Sequence, residues 1–335
     1  MKLIKDLVKF LIFPFVFAFG YFYFLFTNKT LPLSYAAFRF LFVKTNGGIN
    51  NFMAKLLKKN IPVEAVSSPV FGQLTQQDIQ RIIESIEKDG FYVFEQTLSE
   101  ETIEALLNFA LSEKTKSIDV NQSGVKYLPE KIVFDPNNPV SPRYQFESAD
   151  LVKNETIRNI AFDAGMRKIA EGYLKCQPIL DIVTMWWSVP FGKKAMAQSA
   201  QMYHFDMDRF KFLKFFYYVT DVHTDNGPHC YIRGSHRTLP KELLSDRRLT
   251  DEELEKIYAK EDFMEFTGKK GSILAVDTRG LHKGKTLVSD KRLLFQIQFS
   301  NSLFGAEYDQ LTLHNKTEAE EAYIAKHPRT YQLFK

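Results

Sequence analysis

The stretch Phe212-Leu-Lys-Phe-Phe-Tyr-Tyr-Val-Thr-Asp-Val222, with the turn signal Asp225-Asn226-Gly227 just beyond it, decides the fold. It is rich in aromatic and β-branched residues and ends where the chain favours a tight turn, which is the signature of a sheet strand. Residues 179–189, 271–277 and 293–299 share that composition. Runs of this kind from about residue 178 onward predict an antiparallel β-sandwich or jelly roll with helices packed outside it. The chain shows no internal repeat and no glycine-rich phosphate loop, so a nucleotide-binding fold has no support.

Upstream of the β-rich half the period changes to that of helices. Thr75 and Asp78 form a capping-box start, after which Ile79, Ile82, Ile83 and Ile86 recur at helical spacing until Asp89-Gly90. Residues 91–94 read as a short strand, and Ser99-Glu100-Glu101 opens a second helix with Ile103, Leu106, Leu107 and Ala110 on one face. These aliphatic stripes are core-packing faces. Residues 113–150 are polar, carry Pro129, Pro136, Pro139 and Pro142, and read as loops with short strands. A third helix is predicted over residues 154–174.

The N-terminus is different in kind. Residues 10–27 read FLIFPFVFAFGYFYFLFT without a charge, preceded by Lys2, Lys5 and Lys9 and followed by Lys29. That run is just long enough to cross a bilayer, and it lacks the small-residue cleavage site of a signal peptide; the other reading is a buried core helix of a soluble protein, which Pro14 and Gly20 do not forbid. A second apolar stretch, residues 31–43, contains Arg39 and precedes Lys44, Lys55, Lys58 and Lys59, which suits a helix lying at the headgroup level. Lysines on both sides leave the orientation open.

Bulk composition narrows the chemistry. In 335 residues the net charge is +4 and basic residues are scattered among acidic ones, so no nucleic-acid footprint stands out. The two cysteines, Cys176 and Cys230, cannot build a disulfide framework or a thiolate zinc site. A metal in this chain is therefore held by histidine and carboxylate.

Such a set is visible. In Gln201-Met-Tyr-His-Phe-Asp-Met-Asp208, His204 and Asp206 are two residues apart, so a strand would point both side chains to one face. Two histidines and one carboxylate on one side of iron(II) leave the opposite positions open for co-substrate and dioxygen. Of the seven histidines, His282 is best placed to complete the set, in a turn just after the apolar strand 271–277. Ten residues later Arg292 supplies a cation suited to a terminal carboxylate. Asp208 shares a face with Asp206 if the strand persists, as an acceptor behind the ligands or a substitute ligand, and otherwise begins a turn. His236 reads as part of a structural turn, and His223 and His229 as surface or substrate-loop residues. His314 and His327 lie in the charged tail. The pair Trp186-Trp187 suits either an apolar pocket or the sandwich core.

The order of these pieces resembles the phytanoyl-CoA dioxygenase family. Tyr203-His-Phe-Asp206, the strand 212–222, Asp225-Asn-Gly-Pro228, Arg233-Gly-Ser-His-Arg237 and Asp277-Thr-Arg-Gly-Leu-His-Lys-Gly284 with Arg292 follow in sequence. Leu74-Thr-Gln-Gln-Asp78, Lys88-Asp-Gly-Phe-Tyr-Val93 and Leu98-Ser-Glu-Glu101 are similar to its helical opening, so the resemblance spans residues 70–303. It implies an α+β fold built on a double-stranded β-helix, iron ligands His204, Asp206 and His282, and Arg292 as the residue binding the distal carboxylate of 2-oxoglutarate. Two departures stand out: Arg233 occupies the place where proline is commoner, and His282 and Arg292 are about a residue closer than in some relatives. Because halogenating relatives replace the carboxylate ligand with a small residue, Asp206 implies hydroxylation.

The expectation is thus an iron(II)- and 2-oxoglutarate-dependent dioxygenase that uses O2, with ascorbate as a reductant. Its substrate is a small molecule or a membrane-associated lipid, acyl chain or glycan, and it has a membrane but no nucleic acid as partner. Residues 1–60 form the anchor and amphipathic segment. Residues 61–335 form the oxygenase domain, with a helical opening at 70–175, a β-helix core at about 178–303 and a C-terminal tail, and it faces the cytoplasm. The alternatives are a membrane-anchored binding protein on a degenerate oxygenase fold, and a cupin-type isomerase or hydrolase using another divalent metal.

Overall fold

The computed structural model describes residues 2–120, 126–191 and 200–335, with residues 2–5 described by their backbone. Part of the polar stretch expected to form loops, residues 121–125, lies outside the described residues. In chain order the elements begin with α1 (Lys2–Thr27), α2 (Pro32–Thr45), α3 (Gly48–Leu56), β1 (Val66–Ser68), β2 (Gly72–Leu74), α4 (Gln76–Asp89), β3 (Phe91–Thr97) and α5 (Glu100–Ser112). There follow β4 (Lys114–Ile118), β5 (Tyr127–Val133), β6 (Arg143–Gln145), α6 (Ser148–Leu151), α7 (Glu155–Ala161), α8 (Ala164–Leu174) and β7 (Ile179–Ser188). The β-rich half adds β8 (Phe212–Tyr218), β9 (His229–Ile232), α9 (Asp251–Glu255), β10 (Phe263–Phe266), β11 (Ser272–Val276), β12 (His282–Gly284) and β13 (Arg292–Ser300), and α10 (Glu318–Lys326) closes the chain.

The fold is mixed helix and sheet around a large antiparallel sheet. Among the described residues that sheet has eight strands in the order β3-β11-β8-β13-β7-β6-β4-β5, and a smaller sheet runs β10-β9-β12. The central strands β8 and β13 are buried throughout; β8 is a near-continuous apolar run broken by Lys214, whereas β13 carries Arg292, Gln296, Gln298 and Ser300 among its apolar residues. The helical opening packs outside, and α4 buries Ile79, Ile82, Ile83 and Ile86 behind its Thr75–Asp78 capping box. The third helix is two helices. Asp163 interrupts it, accepting from Met166 N (2.9 Å) as the cap of α8 and from Ser68 Oγ (2.7 Å) on β1.

The residues at the Trp pair divide by strand alternation. Trp187 is core, its ring stacked on Phe134 at 4.8 Å and its Nε1 donating to Ala110 O (3.1 Å). Trp186 faces the other side and lines a cavity.

The apolar run of the N-terminus forms α1, long enough and apolar enough to cross a membrane. It has two unlike sides. Inward, Phe17, Tyr21 and Phe24 pack against Phe304 at ring distances of 5.6–5.7 Å, and Phe17 and Tyr21 also meet Phe210. Outward, Phe15, Phe19 and Phe26 are 77%, 66% and 74% exposed, among other bare apolar side chains. The apolar stretch expected at the headgroup level forms α2, and its Ala37, Phe38, Leu41 and Phe42 are buried in the protein interior. This helix and α3 lie directly beneath the segment holding His204 and Asp206. Phe42 packs on Phe205 at 5.2 Å, Tyr35 Oη donates to Met207 O (3.4 Å), and Asn50 Nδ2 donates to Phe210 O (2.8 Å).

Candidate metal centre

His204, Asp206 and His282 each bring one ligating atom to within 4.8 Å of the others. Backbone pairing does this. His204 N donates to His282 O (3.0 Å) and His282 N to His204 O (2.8 Å), a bridge between residues directly opposite one another, whose side chains share a face. Asp206 lies past the bridge, where its N–H donates to Thr278 O (2.8 Å). The expected turn position of His282 is in fact the first residue of β12, paired with Tyr231 of β9.

Both imidazoles are fixed in one tautomer. Nδ1 of His204 lies 2.9 Å from Met202 O and Nδ1 of His282 lies 3.0 Å from Gly280 O. A carbonyl can only accept, so each Nδ1 carries the proton and each Nε2 presents its lone pair to the shared space. Those Nε2 atoms lie 3.7 and 3.5 Å from the oxygens of Asp206. Burial, with the neighbouring His282 second, pulls the His204 pKa down to about 3. Burial likewise lowers that of His282. Neutral imidazole is the form that binds a metal. Burial opposes ionisation of Asp206, but Lys214, then His282 and His204, outweigh it and hold the carboxyl far below its usual range.

Lys214 is the residue that sequence reasoning missed. It sits on β8 with its Nζ 2.6 Å from Asp206 Oδ2 and 3.2 Å from Asp208 Oδ2. Asp208 is therefore neither a ligand in the cluster nor merely the start of a turn, because it shares the ammonium with Asp206. The signal was available as a lysine inside an otherwise aromatic strand.

The centre opens on a cavity of about 340 Å³ between the two sheets. Arg292, 6% exposed, lines it from β13. Burial lowers its pKa to about 10, its Nη2 reaches Ser188 Oγ only at 3.5 Å, and its buried Nε has no hydrogen-bond partner. Among the described residues no carboxylate pairs with it. A buried, unpaired guanidinium sharing a cavity with a His-Asp-His cluster fits an acid whose other end reaches the metal.

The remaining histidines separate clearly. His229, expected at the surface or in a substrate loop, is buried on β9, lines the cavity and packs on Phe216 (4.8 Å) and His282 (5.5 Å). The correction has a simple cause: β9 begins at His229 itself, so the turn ends earlier than the sequence suggested. His223 and His314 are exposed, and His327 caps α10. His236 contacts Glu87 O in a structural turn, as expected. That turn braces the centre, since Ser235 Oγ accepts from Leu281 N (2.8 Å), the residue before His282. A second brace is Asp277, buried, which accepts from Arg279 Nη2 (2.6 Å) and Tyr173 Oη (2.5 Å) and fixes the loop into β12. Gly280 in that loop is obligatory, because a Cβ there would lie 2.0 Å from Tyr231 Oη.

Comparison with known proteins gives a family and several remote structural likenesses. The family profile described as phytanoyl-CoA dioxygenase (PhyH) matches residues 86–293, which contain all four predicted site residues. The epimerase SnoN from nogalamycin biosynthesis, solved with Fe3+, alpha ketoglutarate and nogalamycin RO, is 16% identical with a TM-score of 0.47, covering 67% of this chain and 84% of that one. HygX from Streptomyces hygroscopicus, with nickel, 2-oxoglutarate and hygromycin B bound, is 14% identical with a TM-score of 0.45, covering 72% and 93%. EctD from S. alaskensis with bound Fe is 17% identical with a TM-score of 0.45, covering 66% and 75%. These identities are too low for a residue role to pass from those proteins to this chain. No curated protein matches the sequence.

Proposed function

The chain belongs to the phytanoyl-CoA dioxygenase family and is a 2-oxoglutarate-dependent oxygenase; from that premise we propose that it hydroxylates its substrate at an iron(II) held by His204, Asp206 and His282. The observation that carries the assignment is the unpaired Arg292 guanidinium in the same cavity as the three ligating atoms. Iron(II) with 2-oxoglutarate and O2 supplies the oxidising chemistry, with succinate and carbon dioxide as co-products. The protein's own part is positional. The carbonyls of Met202 and Gly280 aim the two Nε2 lone pairs, Lys214 holds one oxygen of Asp206, and Arg292 grips the distal carboxylate of the co-substrate. Trp186, Phe216 and Leu294 line the cavity and keep water from the reacting bond. Retention of Asp206 supports hydroxylation.

The test is anaerobic addition of iron(II) and 2-oxoglutarate to the full-length protein, read by the visible absorption of the chelate. The band is expected in the wild type, absent in Asp206→Ala and displaced to higher 2-oxoglutarate concentration in Arg292→Gln. An Asp206→Ala protein that still forms succinate would sink the ligand assignment. No band with the wild type would favour a non-catalytic binding protein. Ascorbate is expected to sustain turnover by keeping the iron reduced.

The outward face of α1 supports association with a membrane, with the domain facing the cytosol, where iron(II) and 2-oxoglutarate are supplied. A lipid or acyl-bearing substrate fits that location. Protection of the domain from protease in sealed vesicles would overturn the orientation.

A further inference from the structure

The bare face of α1 belongs to a helix that the rest of the protein holds along its whole length. Near its start, Asp6 pairs with Lys44 of α2 (2.9 Å). In its middle, Phe13 meets Phe40 (5.2 Å) and Ser34 Oγ donates to Val16 O (3.4 Å). Gly20 lies so close to α2 that a Cβ there would collide with the Ser34 side chain. Just past its end, Tyr308 Oη donates to Asn28 O (2.6 Å). The inward positions Phe13, Phe17, Gly20 and Phe24 recur at intervals of three and four, which makes one stripe of a helix. The opposite stripe carries Leu11, Phe19 and Phe26, each more exposed than buried.

The same packing fixes the level of a charge. Phe40 meets Phe13 and Phe38 meets Phe17, so Arg39 of α2 stands level with residues 13–17 of α1. Arg39 Nε donates to Asp246 Oδ2 (3.0 Å), and both side chains of this ion pair are partly exposed. If α1 crossed a bilayer, the centre of the apolar run 10–27 would mark the midplane. The ion pair would then lie within about 8 Å of it at a rise of 1.5 Å per residue, where each charge is costly. The docked domain would be drawn into hydrocarbon with it. We propose that α1 does not cross the membrane but lies in the plane of one anionic leaflet, its bare face among the acyl chains and both its ends on the side of the domain. This rests on the reading that the chain associates with a membrane, and adds how it does so. Val8, Leu11, Phe15, Phe19, Phe22 and Phe26 on that face have no hydrogen-bonding group with which to specify a protein partner. Cations stand at both ends of the face, where headgroup phosphates would meet them. Lys9 and Lys44 lie over the Phe40 ring (6.0 and 5.4 Å) at one end, and Lys29 follows the other.

The test uses the full-length protein on sealed vesicles of phosphatidylcholine and phosphatidylglycerol. Leu11→Cys, Phe19→Cys and Phe26→Cys, one at a time, carry a bimane fluorophore; the native Cys176 and Cys230 are buried. Lipids with a nitroxide near the headgroup or deep in the acyl chain read the depth of each label by quenching. All three labels are expected at one shallow depth, quenched at least threefold more by the shallow nitroxide than by the deep one. A spanning helix would instead put the Phe19 label about 11 Å deeper than the other two. That gradient overturns the proposal and leaves membrane association standing. Lys2→Cys and Lys29→Cys give a second readout that leaves the apolar face intact. Both are expected to react equally with a membrane-impermeant maleimide, and reaction at only one until detergent opens the vesicles would likewise overturn the in-plane arrangement. Vesicles of phosphatidylcholine alone are expected to bind the protein at least fivefold more weakly, and equal binding overturns the choice of an anionic leaflet. A protein that fails to float with vesicles, and whose labels no lipid quenches, removes the membrane reading and this proposal together. Dimers in sedimentation would then assign the face to a second copy of the chain.

Discussion

Lys214 shows how a single buried side chain can hold two neighbouring carboxylates together. Its ammonium stands between two carboxylates, and burial, which would lower its pKa, is outweighed by Asp206 and then Asp208, so it stays charged. Lys214→Met leaves those two like charges side by side without a cation. The metal-free variant is expected to lose about 3–5 kcal/mol, as broken buried pairs do. Nickel(II) is expected to raise its thermal midpoint more than it raises the wild type's, because the metal restores the missing positive charge. Equal shifts in both proteins would refute this. Asp277 gives the pH dependence. Burial opposes its ionisation, but Arg279 and Tyr173 outweigh it and hold its pKa at about 2, against an ordinary 3.8. A depressed acid stabilises the fold above the ordinary value and loses that contribution as pH falls toward the folded one. About 2 kcal/mol should therefore disappear between pH 4 and pH 2. Asp277→Asn is expected to abolish that segment of the acid-denaturation curve while lowering stability at neutral pH, since it strands Arg279.

At the scale of elements, legibility followed how local each cause is. Helix α4 was readable because its cap and its isoleucine stripe both lie within residues 75–89. The break between α7 and α8 was not, because it depends on Asp163 reaching Ser68 and the Val70 N–H on a distant hairpin. Asp163→Ala removes both the cap and those contacts and is expected to cost about 2 kcal/mol in denaturant titrations, the upper end for a lost cap. The centre divides in the same way. His204, Asp206, His282 and Arg292 stood out because residue type and spacing along strands reveal them. Lys214, marked only as a lone lysine in an apolar strand, and His229 did not, because the pairing of β8 and β9 with strands far away in sequence is what brings them to the cavity.

For the whole molecule the decisive feature is that α1 has two unlike sides, one packed on the domain and one bare. Substituting Phe15, Phe19 and Phe26 by serine together is expected to release the protein from anionic lipid vesicles in a flotation assay while its melting temperature stays within a few degrees. Phe304→Ala, which empties the inward face, is expected to cost about 3–5 kcal/mol instead. The usual remedy for an insoluble enzyme is to delete its hydrophobic leader, and here the remedy would backfire. A chain begun near residue 60 would lay bare Phe205, Phe210 and Phe304 and drop the supports that Tyr35, Phe42 and Asn50 give to the backbone from Phe205 to Phe210. The chain with α1, α2 and α3 in place is therefore the form in which this enzyme should be purified and assayed.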